Sequence, residues 1–357
     1  MRAFITGAGG LIGTHLVHEL IARRVAVRAM VRRGRPIRVA RDADVELCAG
    51  DVLEPPEALA GSMRGCDLLF HAATPFAYSG IDDGDLERTA TVGTRNVLRA
   101  AATAGVRRVV VTSSSVVFGS SGDPSLRDET SVPEAGFVEP GYVSAKVKQA
   151  ELALAEGAAL GLEVVLVCPT MSLGYPTTNL GPSNAIVVAY LSDPLRMTYP
   201  GGCNLVSVRD IAQGHWMAAE RGEPGRCYLL GSENLHWHEI HALIAELCGV
   251  DRPAIEINHA AAYLAATYEE LRARLQRREP LTTRTQARMV GRYYWYSHAR
   301  AGELGYAPRP ARAALAEACA GLAASPHVSR EIRATMSLHP DVHAARTSAF
   351  PGVELRR

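Results

Sequence analysis

Three observations predict an α/β protein with a doubly wound parallel sheet and a smaller, mainly helical C-terminal lobe. Short β-branched runs alternate with helical stretches through the first 170 or so residues, the pattern that wraps a parallel sheet on both faces. The first run, at residues 2–6, passes through Gly7, Gly9, Gly10 and Gly13 into a helical stretch at 11–21. From about Pro194 the strict alternation stops and helical patterns take over.

The opening turn aims backbone N–H groups at a phosphate, because a strand, a tight glycine turn and a helix place them there. Side chains at these glycines would block the approach of a pyrophosphate or of helix to strand. The spacing is GxxGxxG rather than GxGxxG, so a plain tight turn competes until later elements decide. The second strand, 25–31, runs into Arg32, Arg33, Gly34 and Arg35, with no acid between Glu19 and Asp42. An acid at this place accepts from a ribose 2′-hydroxyl, whereas arginine pairs with a 2′-phosphate. NADP(H) is therefore expected over NAD; a solvated basic loop is the competing reading.

A third strand, 45–49, ends in Gly50–Asp51–Val52, and a fourth, 67–71, is followed by Ala72, Ala73, Thr74 and Pro75. Small residues at a strand's C-terminal end let a flat cofactor lie against the backbone. A helix at 86–104 leads to a fifth strand, 107–113, which closes in Thr112, Ser113, Ser114 and Ser115. Residues 116–140 form an irregular segment beside this edge, and a helix opens at Gly141 and runs to about Ala159. Tyr142 and Lys146 are four apart on that helix and share one face. A phenol titrates near about 10 in water, too high for an efficient acid–base group, and an adjacent ammonium lowers it. Ser114 then holds a substrate oxygen while Tyr142 supplies or removes the proton.

A strand at 163–167 ends in Cys168, Pro169 and Thr170, and a turn at 179–184 leads into a helix at 185–191. Strands near 206 and at 226–230 flank an amphipathic helix, and helices follow at 238–248, 261–277 and 311–323. Two interwoven domains result: 1–180 with part of 204–230 for the cofactor, and 181–203 with 231–324 for the substrate. Residues 325–357 have weak periodicity and read as a mobile extension.

Composition narrows the partners. The 357 residues are 47% hydrophobic and 21% charged with net charge +1, which gives no electrostatic case for nucleic acid or an anionic membrane. No apolar run reaches transmembrane length. Seven cysteines are scattered singly without a CxxC, which favours reduced thiols in a cytoplasmic protein over disulfides or zinc. His236, His238 and His241 lie together in HWHEIH, but they straddle a helix start with no carboxylate fixed opposite, and no metal is expected. Residues 293–296, YYWY, read as packed lobe rather than a substrate wall, and Asp82, Asp83 and Asp85 as a solvated helix start.

With these residues in hand, the chain resembles the extended short-chain dehydrogenase/reductases. TGAGGLIG, GDV, HAATP, VGTRNVLRAA, VVVTSSS, YVSAK and VCPT occur in that family's order and intervals. VRAMVR, HAATP, NLGPSN and VSVRDIAQGHWMAAE look most like the dihydroflavonol-reductase group and its bacterial relatives. The resemblance spans roughly residues 1–324 and implies a Rossmann domain with Ser114, Tyr142 and Lys146 as the catalytic set. It implies Gly7, Gly10, Leu11, Ile12 and Gly13 at the pyrophosphate, Arg32 at the 2′-phosphate, and Asp51 and Val52 by the adenine. Ala72, Ala73, Thr112 and Pro169 join them along the cofactor, with Lys146 on the nicotinamide ribose. Thr74, Pro75 and Thr170 join Ser114 and Tyr142 as substrate contacts. A homodimer through helices of the first domain is implied too. One departure is Ala90, where the family often has asparagine, which removes a proton relay from that helix.

These residues point to an NADPH-dependent reductase of a ketone on a small organic molecule, or the reverse alcohol oxidation. A nucleotide-sugar epimerase or dehydratase with retained NAD is the alternative. A non-catalytic NADP(H) sensor ranks last, since Tyr142 and Lys146 are both present.

Overall fold

The computed structural model describes residues 1–33, 37–40, 44–74, 82–134, 141–175, 180–278, 280–348 and 353–356. Seven parallel strands form its main sheet: β1 (Arg2–Thr6), β2 (Ala26–Val31), β3 (Val45–Ala49), β4 (Leu68–His71), β5 (Arg108–Thr112), β6 (Glu163–Pro169) and, later in the chain, β9 (Cys227–Leu230). Their spatial order is β9-β6-β5-β4-β1-β2-β3. The order reverses between β1 and β4, and open sheets of this kind bind ligands at that point, outside the strands' C-terminal ends.

Alternation along the strands splits the core in two. Ala3, Ile5, Val27, Ala29, Phe70, Val110 and Val165 pack with α1 (Leu11–Ala22) and α6 (Val208–Arg221) on one face. Phe4, Met30, Leu69, Val109, Val111 and Val164 pack with α2 (Pro56–Met63), α3 (Asp83–Ala104) and α4 (Gly141–Ala159) on the other. Both faces are covered, which is why these strands are almost wholly apolar.

The lobe has its own small sheet. β7 (Met171–Leu173) and β11 (Tyr293–Tyr294) lie parallel to β8 (Gly202–Ser207), and β10 (Glu233–His236) runs antiparallel to it. Its helices are α5 (Pro182–Ser192), α7 (Trp237–Cys248), α8 (His259–Leu275) and α9 (Ala311–Ala323). The chain passes between the two sheets more than once, since β6 leads into β7 of the lobe, β8 feeds α6 on the main sheet and β9 in that sheet feeds β10. Arg309 ties the crossing together, reaching Asp210 at 2.9 Å on α6 and Glu317 at 2.8 Å on α9.

The predicted mobile extension is instead largely packed. Beyond α9, α10 (Arg330–Thr335) and α11 (Pro340–Ser348) fold back, burying Val328 and Val342 against α7 and α9. Ser337 N donates to Cys248 O and His339 N to Leu247 O, both at 2.9 Å. Arg312 bridges Glu246 at 2.8 Å and Asp341 at 2.7 Å. Residues 353–356 pair antiparallel with Ile37–Ala40, two short strands that no periodicity announces. The pattern was too short to read because a few buried contacts in a long polar stretch leave no repeat. No helix among the described residues is long and apolar enough to cross a membrane.

A docked extension makes Val342→Ala cost about 2 kcal/mol through lost apolar burial and the cavity left behind. Urea unfolding at neutral pH measures it; a mobile extension would give no change.

Candidate active site

The site begins where β1, α1 and β4 meet. Gly7 has φ +73°, and a Cβ there would lie 2.7 Å from the Ala72 carbonyl carbon. A Cβ on Gly13 would lie 2.1 Å from Gly7 O, so the helix sits directly on the turn. The N-cap residue Gly10 provides no side-chain cap, and the first turn of α1 contains no acid. The leading N–H groups at Leu11, Ile12 and Gly13 are thus left for an anion, which suits a pyrophosphate. Ala72 and Ala73 close the other side of the turn.

Further along the same edge, Arg32 is exposed immediately after β2. Asp51 Oδ1 accepts from Leu53 N at 3.0 Å, and Asn96 Nδ2 holds Val52 O at 3.3 Å. Asp51 and Val52 are therefore fixed beyond β3, on the half of the sheet edge that the expected adenosine needs.

The expected catalytic groups lie near the ends of β5 and β6. Ser114 and Tyr142 are buried, and their hydroxyls are hydrogen-bonded. Burial holds the phenol pKa well above its usual value, with the Ser114 hydroxyl pulling it the other way. Lys146 is buried as well, and desolvation brings its pKa down to about 7. Its Nζ donates to Thr112 O at 3.1 Å and Gln149 Oε1 at 2.9 Å. The expectation that Lys146 lowers the Tyr142 pKa is not met in the free protein. Desolvation of the phenolate dominates, and the ammonium's bonds go to Thr112 and Gln149.

Gln149 escaped sequence reading, although its place three residues after Lys146 on one helix face was a usable signal. Its Nε2 donates to Thr74 Oγ1 at 2.7 Å and Thr94 Oγ1 at 3.0 Å. Thr94 meets His71 Nε2 at 3.0 Å, and His71 Nδ1 meets Thr6 Oγ1 at 2.7 Å. A buried polar chain therefore runs from β1 to Lys146. His71 in it is neutral, since burial drives its pKa to about 3. Ala90 packs with Leu86 and Ala145, so α3 presents no polar group there and Gln149 is the side-chain acceptor for the ammonium.

A cavity of about 370 Å³ opens from these residues, within the range of small-molecule sites. Ile12, Ala72, Thr74, Thr112, Ser114, Tyr142, Lys146, Pro169 and Thr170 line it from the main-sheet side. The lobe contributes Met171, Ile186, Met197, Trp237, Leu281 and Met289. Gly7, Gly10, Leu11, Gly13, Arg32, Asp51, Val52 and Ala73 lie outside it, along the cofactor's expected path. Thr112 and Thr170 line the wall with hydroxyls already committed, to His215 Nε2 and Asn204 Oδ1, both at 2.8 Å. Pro75 lies outside the described residues.

The sequence profile of the NAD dependent epimerase/dehydratase family matches residues 3–231. The chain belongs to this family. Within it, the protein is an NAD(P)-dependent oxidoreductase of the extended short-chain dehydrogenase/reductase type. It is 35% identical over 260 residues to cinnamoyl-CoA reductase 1 of Oryza sativa subsp. japonica, covering 68% of this chain and 75% of that one. It is 31% identical over 316 residues to the 4-hydroxy-2-methyl-3-oxo-4-farnesyl-3,4-dihydroquinoline-1-oxide ketoreductase of Stigmatella aurantiaca, covering 87% and 92%. The crystal structure of gox2253 superposes with a TM-score of 0.75 at 29% identity, over 92% of this chain and 99% of that one.

One sequence expectation about the lobe needs revision. Tyr294 and Tyr296 of YYWY do face the cavity, while Tyr293 and Trp295 pack edge-on against His236; alternate residues of an extended run point to opposite sides. His236 and His238 stack on each other at 5.6 Å, whereas His241 lines the cavity. Among the described residues no group of three or more metal-ligating side chains occurs.

The polar chain predicts that Gln149→Leu lowers stability by about 1–3 kcal/mol, because Thr74, Thr94 and Lys146 lose a buried partner. The sign with pH follows from Lys146, whose folded pKa lies below its unfolded one. Its charge penalises the fold fully below about 7, and the penalty fades as pH rises towards the unfolded value. Denaturant titration of the variant should thus show a larger loss at pH 6 than at pH 9; an equal loss would show that Gln149 does not serve the charge.

Proposed function

We propose that the protein is an NADPH-dependent reductase of a ketone on a small, largely apolar organic molecule, also able to run as an alcohol dehydrogenase. The observation that carries this reading is the convergence of Ser114, Tyr142 and Lys146 on one wall of a cavity whose other walls are mostly apolar. Pro169, on the cavity wall beside Lys146, would hold the nicotinamide, and the cofactor when bound would supply the hydride chemistry for a carbonyl carbon. Ser114 donates a hydrogen bond to the carbonyl oxygen and aligns it with the phenol. Tyr142, kept protonated by burial, gives its proton to that oxygen as negative charge develops. Lys146 favours the phenolate left behind and presents its ammonium to the ribose; solvent then restores the proton on Tyr142.

The cavity lining supports a reductase over a nucleotide-sugar enzyme. Among the described lining residues Lys146 is the one Lys or Arg, and the one acid is Asp193. A diphosphate needs paired cations, and this lining offers none beyond the catalytic lysine. The Stigmatella relative, named for a farnesylated keto substrate, agrees with an apolar guest. Arg32, with no acid beside it at the end of β2, supports a 2′-phosphate.

Two measurements test the reading. Tyr142→Phe should cut ketone-dependent NADPH oxidation by about 10²–10⁴-fold while NADPH binding stays near wild type. Arg32→Ala should raise the KM for NADPH by roughly tenfold to a hundredfold, the worth of a charge-assisted hydrogen bond, and leave the KM for NADH almost unchanged. Tightly retained NAD with no net redox would overturn both.

A further inference from the structure

The third histidine of HWHEIH has a use that metal binding does not explain. Trp237 and His241 are one turn apart on α7 and both line the cavity. His241 is 3% exposed. Its ring stacks on Tyr190 at 4.8 Å and 11°, and meets the edge of Tyr199 at 5.5 Å and 86°. Nδ1 lies 2.9 Å from Thr198 Oγ1, which commits that nitrogen. Among the described residues Nε2 has no hydrogen-bond partner.

The neighbouring polar groups are spoken for, with one exception. Tyr190 Oη donates to Asp251 O at 2.8 Å. The Asp193 carboxylate accepts from Leu195 N at 2.9 Å and Met197 N at 2.7 Å. The Tyr199 hydroxyl, also on the cavity lining, has no hydrogen bond among the described residues. The Trp237 ring lies 5.0 Å from Tyr199 and 6.0 Å from His241, and Met197, Ile257 and Ala262 are on the same cavity lining. A polar atom that a bound ligand covers without a partner costs about 1–3 kcal/mol, and a ligand oxygen that bonds it avoids that cost.

We propose that His241 Nε2 and the Tyr199 hydroxyl form a recognition pair for a second, uncharged oxygen on the substrate, carried on the part of the molecule held by the lobe. This assignment rests on the reductase reading of the same cavity. The ring is neutral near pH 7, because burial takes its pKa to about 3, so Nε2 is a donor in one tautomer and an acceptor in the other. A hydroxyl satisfies either form. A carboxylate or phosphate does not fit, since among the described lining residues no Lys or Arg other than Lys146 occurs, and Arg196, over the Tyr190 ring, spends its guanidinium on Tyr190 O and Leu191 O. The expected substrate class is thus a bulky apolar ketone with a distal hydroxyl.

The test uses the full-length protein loaded with NADP(H) and a panel of hydroxylated tetralones and hydroxyandrostanones, each paired with its deoxy parent. At least one hydroxyketone should exceed its parent about tenfold in kcat/KM and in affinity by calorimetry. His241→Phe should erase that preference, and Tyr199→Phe should reduce it at least threefold. Both should leave the parent ketone's kcat/KM within threefold and NADPH affinity unchanged. Tyr199→Phe removes a single oxygen and keeps the test open if His241→Phe fails to fold. Equal binding of every pair by the wild type, or a preference that survives both variants, overturns the proposal. A binding preference that His241→Phe erases, without turnover of any ketone, upholds the recognition pair and sinks the reductase reading alone.

Discussion

The closest constraint in the molecule is the contact of backbone with backbone at Gly7, Gly13 and Ala72. There β1, α1 and β4 meet with no room for a side chain, as the 2.1 Å and 2.7 Å approaches of hypothetical Cβ atoms make plain. This junction lies where the strand order reverses. It opens the crevice, points the uncapped start of α1 into it, and brings the end of β4 beside the turn. The positions of Thr74, Thr112 and Pro169 follow, because parallel strands in register end along one line.

Within that crevice the costly feature is a buried lysine. Removing an ammonium from water is unfavourable unless hydrogen bonds replace the solvent. Thr112 O and Gln149 Oε1 do so in part, and Gln149 is itself anchored through Thr94 and His71 to β1. The result is a charge poised near neutrality rather than a permanently protonated lysine. Tyr142, buried beside Ser114, keeps its proton for the same reason that Lys146 loses its grip on one: desolvation favours the neutral form of both.

The two halves of the protein divide the work. The main sheet places Ser114, Tyr142 and Lys146 on one wall of the cavity, while the lobe forms the mostly apolar walls opposite. Its α5, α7 and α8 line the cavity with Ile186, Ala189, Trp237, Ala262 and Ala265, and Met171, Met197 and Met289 join them from outside these helices, side chains that fill irregular space without imposing charge. α9 and the extension after it pack against α5 and α7 through Val328, Val342 and the Arg312 bridges. The extension thus packs behind helices that line the pocket.

Much of the first half could be read in advance. GxxGxxG, TSSS and the Tyr142–Lys146 pair are local, and strand and helix periods place them on one sheet edge without knowledge of any distant contact. The alternative for YYWY, a substrate-facing wall, held for Tyr294 and Tyr296 because a strand shows its two sides to different neighbours. What the sequence determined by itself was therefore the fold and the family, with the glycine turn and the Ser114, Tyr142 and Lys146 positions as expectations about the site. The roles of Gln149 and His241, the packed extension and the protonation of Lys146 and Tyr142 depend on burial among residues remote in the chain. Only tertiary structure decides those, because desolvation is a property of the enclosed space and not of the residue.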